Sequence, residues 1–131
     1  MNINWKPNYI PGDLVYNHKG EVIRITSSYL KGTRLFYYKT DEIGESTGCV
    51  LEEALKPIPL TPKILEKNGW KLINGFYCSP NEDGAGVCLS SGTGYVWNAY
   101  LGRQPLRSNI NSVSDLQHLL FGLNINHEME V

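Results

Sequence analysis

Cysteine is scarce in this chain and badly placed for chemistry that needs thiols together. The three present, Cys49, Cys78 and Cys88, form no Cys-x-x-Cys pair, and His18, His118 and His127 stand at no zinc-finger interval from them. Two readings of the thiols stay open: buried small hydrophobes in strands, or a Cys78–Cys88 disulfide across a hairpin, which is unusual in a cytosolic protein. Charge of one sign is also lacking. With 12 basic and 13 acidic residues interspersed, the chain shows no electrostatic footprint for nucleic acid or anionic lipid, and neither partner is expected. No apolar run reaches the roughly 20 residues of a membrane span. The opening Met-Asn-Ile-Asn-Trp-Lys lacks the basic-then-apolar layout of a secretory signal, so a cytoplasmic location is expected. Internal repeats and low-complexity tracts are missing. So is any Ser/His/Asp, Cys/His or metal set at recognisable spacing, and no catalytic residue, metal or cofactor is assigned.

What the 131 residues do contain is a strong punctuation mark at residues 55–69. Pro57, Pro59 and Pro62 deny the backbone helix and ladder donors, so the chain must run extended there. A short helix over 61–68 follows: Thr61 is a good N-cap, Pro62 sits where its missing N–H costs nothing, and Asn68-Gly69 supply a left-handed stop.

Before that mark, strands and turns alternate. Strands are predicted at 13–17, 21–27, 34–39 and 48–51, with turns at 18–20 and 31–32, a polar loop over 41–47 and one helical turn at 52–55. Short strands that open on Pro-Gly-Asp and close on a helical turn point to a small SH3-like β-barrel over residues 1–60. Such barrels host many unrelated tasks.

After the helix come strands at 70–74 and 76–79, joined by Asn74-Gly75, the strongest short hairpin signal. Strands at 86–90 and 95–100 follow, then a loop over 102–111 containing Pro105. The expectation is a four-stranded antiparallel meander with one face to cover. The cover is a helix over 113–122, capped by Ser112 or Asn111, with Val113, Leu116, Leu119, Leu120 and Leu123 at helical spacing. Residues 125–131 alternate apolar and charged, as an added edge strand or an ordered tail does. The chain is thus α+β and mostly β, divided as 1–60 and 61–131.

The order barrel, Pro-Ile-Pro-Leu-Thr-Pro-x-Ile-Leu-x-x-Asn-Gly-Trp (57–70), hairpin meander, then Val-x-x-Leu-Gln-His-x-Leu (113–120) resembles a set of small uncharacterised proteins encoded in phages and prophage-like regions of gut Bacteroidetes. The resemblance covers most of the chain. It implies a mobile-element origin and residence in a bacterial cytosol, and carries no activity and no site residue.

Three constellations hold candidate chemistry. Asp115, Gln117 and His118 share the last helix, and an acid three residues before a histidine suits a metal or general-base pair. The alternative is a first-turn acid stabilised by the helix dipole beside a solvated edge. Ser90-Ser-Gly-Thr-Gly94 is glycine-rich but joins strands and has no helix or Lys after it, so it reads as a turn rather than a phosphate cradle. Asn81-Glu-Asp-Gly84 likewise lacks the acidic alternation of a calcium loop. The third constellation is the aromatics: Tyr29, Phe36, Tyr37, Tyr38, Trp70, Phe76, Tyr77, Tyr95, Trp97 and Tyr100 exceed what one sheet face buries. Strand alternation puts Phe36 and Tyr38 on one side and Tyr37 on the other. The surplus either packs the junction of the two halves or forms a binding surface.

The expected function is that of a protein-binding or self-associating module using an aromatic surface or an edge strand, with Tyr37, Trp97, Tyr100, Gln117 and His118 as binding residues. The alternative is a small enzyme or ligand-binding protein with a cleft between the halves, using His118, Asp115 or Cys88.

Overall fold

A computed structural model describes residues 9–28, 35–40, 47–80, 86–91 and 96–131, with the side chains of 28, 35, 37, 39, 40 and 47 excluded. The expected turns at 31–32 and 81–84, most of the loop at 41–47 and most of the glycine-rich turn lie outside the described residues, as do Tyr29 and Tyr95.

The described residues form ten strands and two α-helices. The first sheet contains β1 (Leu14–Tyr16), β2 (Val22–Ser28), β3 (Leu35–Thr40), β4 (Thr47–Leu51) and β5 (Lys56–Pro57), with a 3-10 turn at Glu52–Ala54. Its order is β4-β3-β2-β1-β5 and every described pairing is antiparallel. Among the described residues it does not close into the expected barrel. The prolines explain why: β5 is two residues long and pairs only with β1, and a proline has no N–H to offer a further strand.

The second sheet contains β6 (Lys71–Ile73), β7 (Phe76–Cys78), β8 (Val87–Ser91), β9 (Trp97–Leu101) and β10 (Gln104–Ile110), an antiparallel meander in sequential order. It has five strands where four were expected, because the supposed loop around Pro105 is β10. Pro105 is tolerated there since β10 is an edge strand, and register shifts on both sides of Arg107 bend it. The Asn74-Gly75 turn is as expected, with both residues at positive φ, 50° and 84°.

Helix α1 (Pro62–Lys67) starts where the prolines require: the Thr61 hydroxyl accepts from Ile64 N–H at 3.3 Å, and Leu65 is buried. Helix α2 (Val113–Gly122) is capped by Ser112, whose Oγ accepts from Asp115 N–H at 3.1 Å. It buries Val113, Leu116 and Leu120 against Val87, Leu89, Trp97 and Ala99 of the second sheet. The proline segment is strapped to the start of α2. Val113 N–H donates to Ile58 O at 2.8 Å, and Leu60 N–H to Asn111 O at 3.3 Å.

The last residues are an ordered tail rather than a strand. Met129 is buried, Glu130 N–H donates to Asn68 Oδ1 (2.8 Å), and Asn68 Nδ2 donates back to Glu130 O (2.7 Å).

Two hydrophobic clusters result. The smaller gathers Val15, Ile23, Ile25, Phe36 and Leu55 beneath the first sheet. The larger joins Leu14, Ile58 and Leu60 to Leu65, Trp70 and the residues beneath α2. No helix among the described residues is long and apolar enough to cross a membrane.

Candidate functional site

Among the described residues, the second sheet has a helix on one face only. Alternation along β8 and β9 sends Val87, Leu89, Trp97 and Ala99 into the core. Cys88, Ser90, Asn98 and Tyr100 therefore lie on the opposite face. Register adds Cys78, Phe76 and Ile73 to that face. Ile73 is 52% exposed and Phe76 39%. The Phe76 ring meets Tyr100 edge-on, with centroids 6.1 Å apart. Tyr100 is thus on the aromatic face that α2 leaves uncovered.

Trp97 is not. Expected at a binding surface, it is 1% exposed, and its indole N–H donates to Leu60 O at 2.7 Å. The correction follows from parity: Trp97 and Tyr100 are three residues apart on one strand and so face opposite ways. Trp97 joins the two halves of the chain. The side chain of Tyr37 lies outside the described residues; its backbone pairs with Cys49 of β4.

Gln117 is likewise withdrawn from the surface. It is fully buried, and its Oε1 accepts from Leu14 N–H at 2.9 Å. Its Nε2 donates to Gly12 O (2.8 Å) and His127 O (3.0 Å). A buried primary amide holds its place when its polar groups are satisfied, and these three bonds clamp β1, α2 and the tail together. Its neighbour Arg24 bonds the same two segments, reaching Gly12 O and Met129 O at 3.2 Å each.

His118 stands at a second, different site. A cleft of about 480 Å³ opens between Tyr9, Pro57 and Pro59 on one side and Asn111, Ser112, Ser114, Asp115 and His118 on the other. It exists because the proline strap runs beside the first turn of α2, where Pro59 bridges Ser112. Asp115 is held by Asn111 N–H at 3.1 Å and by Arg107 at 3.4 Å. Tyr9 has its phenol pKa raised by burial, then by the negative charges of Glu52, Asp13 and Asp115.

His118 also meets an acid that no spacing in the sequence names. Its Nε2 lies 2.5 Å from Oδ2 of Asp13, from 105 residues away, and Asp13 is fully buried. Asp13 reaches that place by closing its own turn. Its Oδ2 accepts from Ile10 N–H (2.9 Å), its N–H donates to Ile10 O (3.1 Å), and Gly12 before it takes a φ of 96° that favours glycine. Asp13 Oδ1 has no hydrogen-bond partner among the described residues. With Nε2 engaged by the carboxylate, the ring orientation of His118 is fixed and Nδ1 is the nitrogen left for a ligand. The acid that meets His118 is thus Asp13, not the Asp115 that the helical spacing offered. Sequence reading took Pro11-Gly12-Asp13 only as a strand opening, and no local signal pairs it with the far helix.

Among the described residues, no group of three His, Cys, Asp or Glu side chains is placed to hold a metal. Comparison with protein-family models, curated proteins and solved structures finds no match for this chain.

Proposed function

We propose that this protein is a binding module that associates with a second copy of itself through the uncovered face of its second sheet. One observation carries the reading: Ile73, Phe76 and Tyr100 stand together on a face that no helix among the described residues covers, with the apolar side chains of Ile73 and Phe76 exposed. Within β6–β9, alternation puts a single charge on that face, Lys71, beside neutral Ser90 and Asn98. A two-fold pairing of this face with itself therefore buries apolar surface without opposing like charges. Sedimentation velocity over a wide concentration range tests the reading. A dimer that dissociates in Phe76→Glu, with thermal unfolding of the monomer unchanged, supports it; a monomer at the highest concentrations refutes it.

The same reading takes the first half as SH3-like. A meander of β1–β4, a 3-10 turn and a short last strand returning to β1 support that description. An origin in a phage or prophage and a cytoplasmic location belong to the proposal too, resting on the segments at 57–70 and 113–120.

The His118 cleft favours a second reading, the binding of a small polar ligand between the halves. Its support is a histidine oriented by a buried carboxylate and facing space enough for a ligand. A thermal-shift screen of small polar compounds checks it. Compounds that stabilise the wild type and not His118→Asn favour the cleft, and a screen without any stabiliser counts against it.

A further inference from the structure

The register of β7 and β8 sets Cys78 directly opposite Cys88, with the sulfurs 3.3 Å apart. One step along, Ser79 N–H donates to Val87 O at 2.9 Å. Hydrogen-bonded and non-hydrogen-bonded pairs alternate along an antiparallel ladder, so Cys78 and Cys88 occupy a non-hydrogen-bonded position. Side chains lie closest there, at a Cα separation of about 4.5 Å, inside the span a disulfide bridges. Both thiols are partly exposed in the single chain, on the face of the sheet that α2 leaves uncovered, so exchange belongs to the chain before that face pairs with a second copy. Two aligned thiols within reach of solvent are more than packing requires, since a buried-hydrophobe role needs neither the pairing nor the access.

We propose that Cys78 and Cys88 form a thiol–disulfide exchange site that a low-molecular-weight disulfide closes into an intramolecular cross-strand bond. The chemistry balances in two displacements. The Cys78 thiolate attacks one sulfur of the reagent R–S–S–R, forming a mixed disulfide and releasing RS⁻, which takes up a proton. Cys88 then gives its proton to solvent and attacks the Cys78 sulfur, expelling the second RS⁻. The protein loses two thiol protons and two electrons, and the reagent takes them up and leaves as two thiols.

The order of attack has a structural cause. Burial, then the hydrogen bond and charge of Cys78, push the Cys88 thiol up to about 11, which makes Cys88 the poorer first nucleophile. Once Cys78 is capped, its charge no longer opposes ionisation of Cys88, and the second displacement becomes easier than the first would have been from that side. Cys49, exposed on β4 of the other sheet, has no such neighbour in the described pairings and serves as an internal control.

The test equilibrates the full, reduced chain with glutathione buffers of increasing oxidation, quenches by alkylation, and reads intact mass and a non-reducing peptide map. The expected product has lost two hydrogens, carries one alkyl group on Cys49 and yields a linked Cys78–Cys88 peptide pair. Cys88→Ser should instead trap a mixed disulfide of glutathione on Cys78. A wild-type protein that stays fully reduced, accumulates only glutathione adducts, or links through Cys49 overturns the proposal. The wild-type map decides the matter even where the serine variant fails to fold.

Discussion

Gln117→Met removes the buried amide while keeping the side chain's length and most of its volume. Three hydrogen bonds disappear: the one accepted from Leu14 N–H and the two donated to Gly12 O and His127 O. They differ in cost. Gly12 O keeps Arg24 as a donor at 3.2 Å, and His127 is partly exposed, so water can replace the amide there. Leu14 is fully buried, and its N–H is left without a partner. An orphaned buried donor costs about 2 kcal/mol, and each of the two other bonds about 1 kcal/mol, with the apolar thioether returning roughly 1 kcal/mol.

The expected loss is therefore about 3 kcal/mol, a large part of the roughly 5–15 kcal/mol by which a domain is stable. Urea unfolding followed through the buried Trp70 and Trp97 measures it. Gln117→Glu sharpens the test. It keeps an acceptor for Leu14 N–H but turns a carboxylate oxygen toward two carbonyls, so its deficit should shrink on acidification, when the protonated acid can donate to one of them. If Gln117→Met unfolds within about 0.5 kcal/mol of the wild type, the clamp contributes nothing and the reasoning fails.

Two further outcomes follow from named contacts. His118→Ala leaves the buried Asp13 carboxylate with Ile10 N–H alone; the expected cost is about 2 kcal/mol, less than for a fully enclosed pair because the histidine is partly exposed, and Asp13→Asn in the same chain should recover part of it in a double-mutant cycle. Cys88 is raised from 9.0 to about 11 by burial first and Cys78 second, so above about pH 9 the unfolded chain ionises while the folded chain does not; stability should fall as pH rises from about 9 to 11, and Cys88→Ser should flatten that slope in urea titrations.

Local signals were legible and distant ones were not. Thr61-Pro62 and Asn68-Gly69 bracket α1 because capping and positive φ are decided within a few residues, and Asn74-Gly75 fixes its hairpin for the same reason. β10 was hidden by Pro105, since the rule that proline breaks strands gives way at an edge, and only the fold shows which strand is the edge. The site contacts were out of reach on other grounds. His118 meets Asp13, and Gln117 meets Leu14, across more than a hundred residues. The spacing of Asp115 and His118 on α2 is visible in sequence, but the partner that orients the histidine arrives from the turn just before β1. The aromatic-rich strands left two places open, a junction and a surface, and strand parity divides them: Tyr100 lies on the open face, whereas Trp97 spans the junction.

β1 is what binds the two halves together. Strand parity sends Leu14 into the larger hydrophobic cluster and Val15 into the smaller one, so three residues of chain are shared between two cores. The proline strap adds Ile58 and Leu60 to the larger cluster, and Leu60 O is the acceptor for Trp97. A fragment of residues 61–131 keeps both its helices and its sheet in sequence, yet it loses Leu14, Ile58 and Leu60 from its core, the acceptor of its buried indole and the N–H that Gln117 holds. Each truncated core leucine or isoleucine costs on the order of 2–5 kcal/mol, so the three together, about 6–15 kcal/mol, are as large as the whole stability of a small domain. The fragment should lack near-UV circular dichroism and a cooperative thermal transition, while the full chain unfolds in a single step. A fragment that unfolds cooperatively at a temperature near that of the full chain would show that the cluster beneath α2 does not need β1.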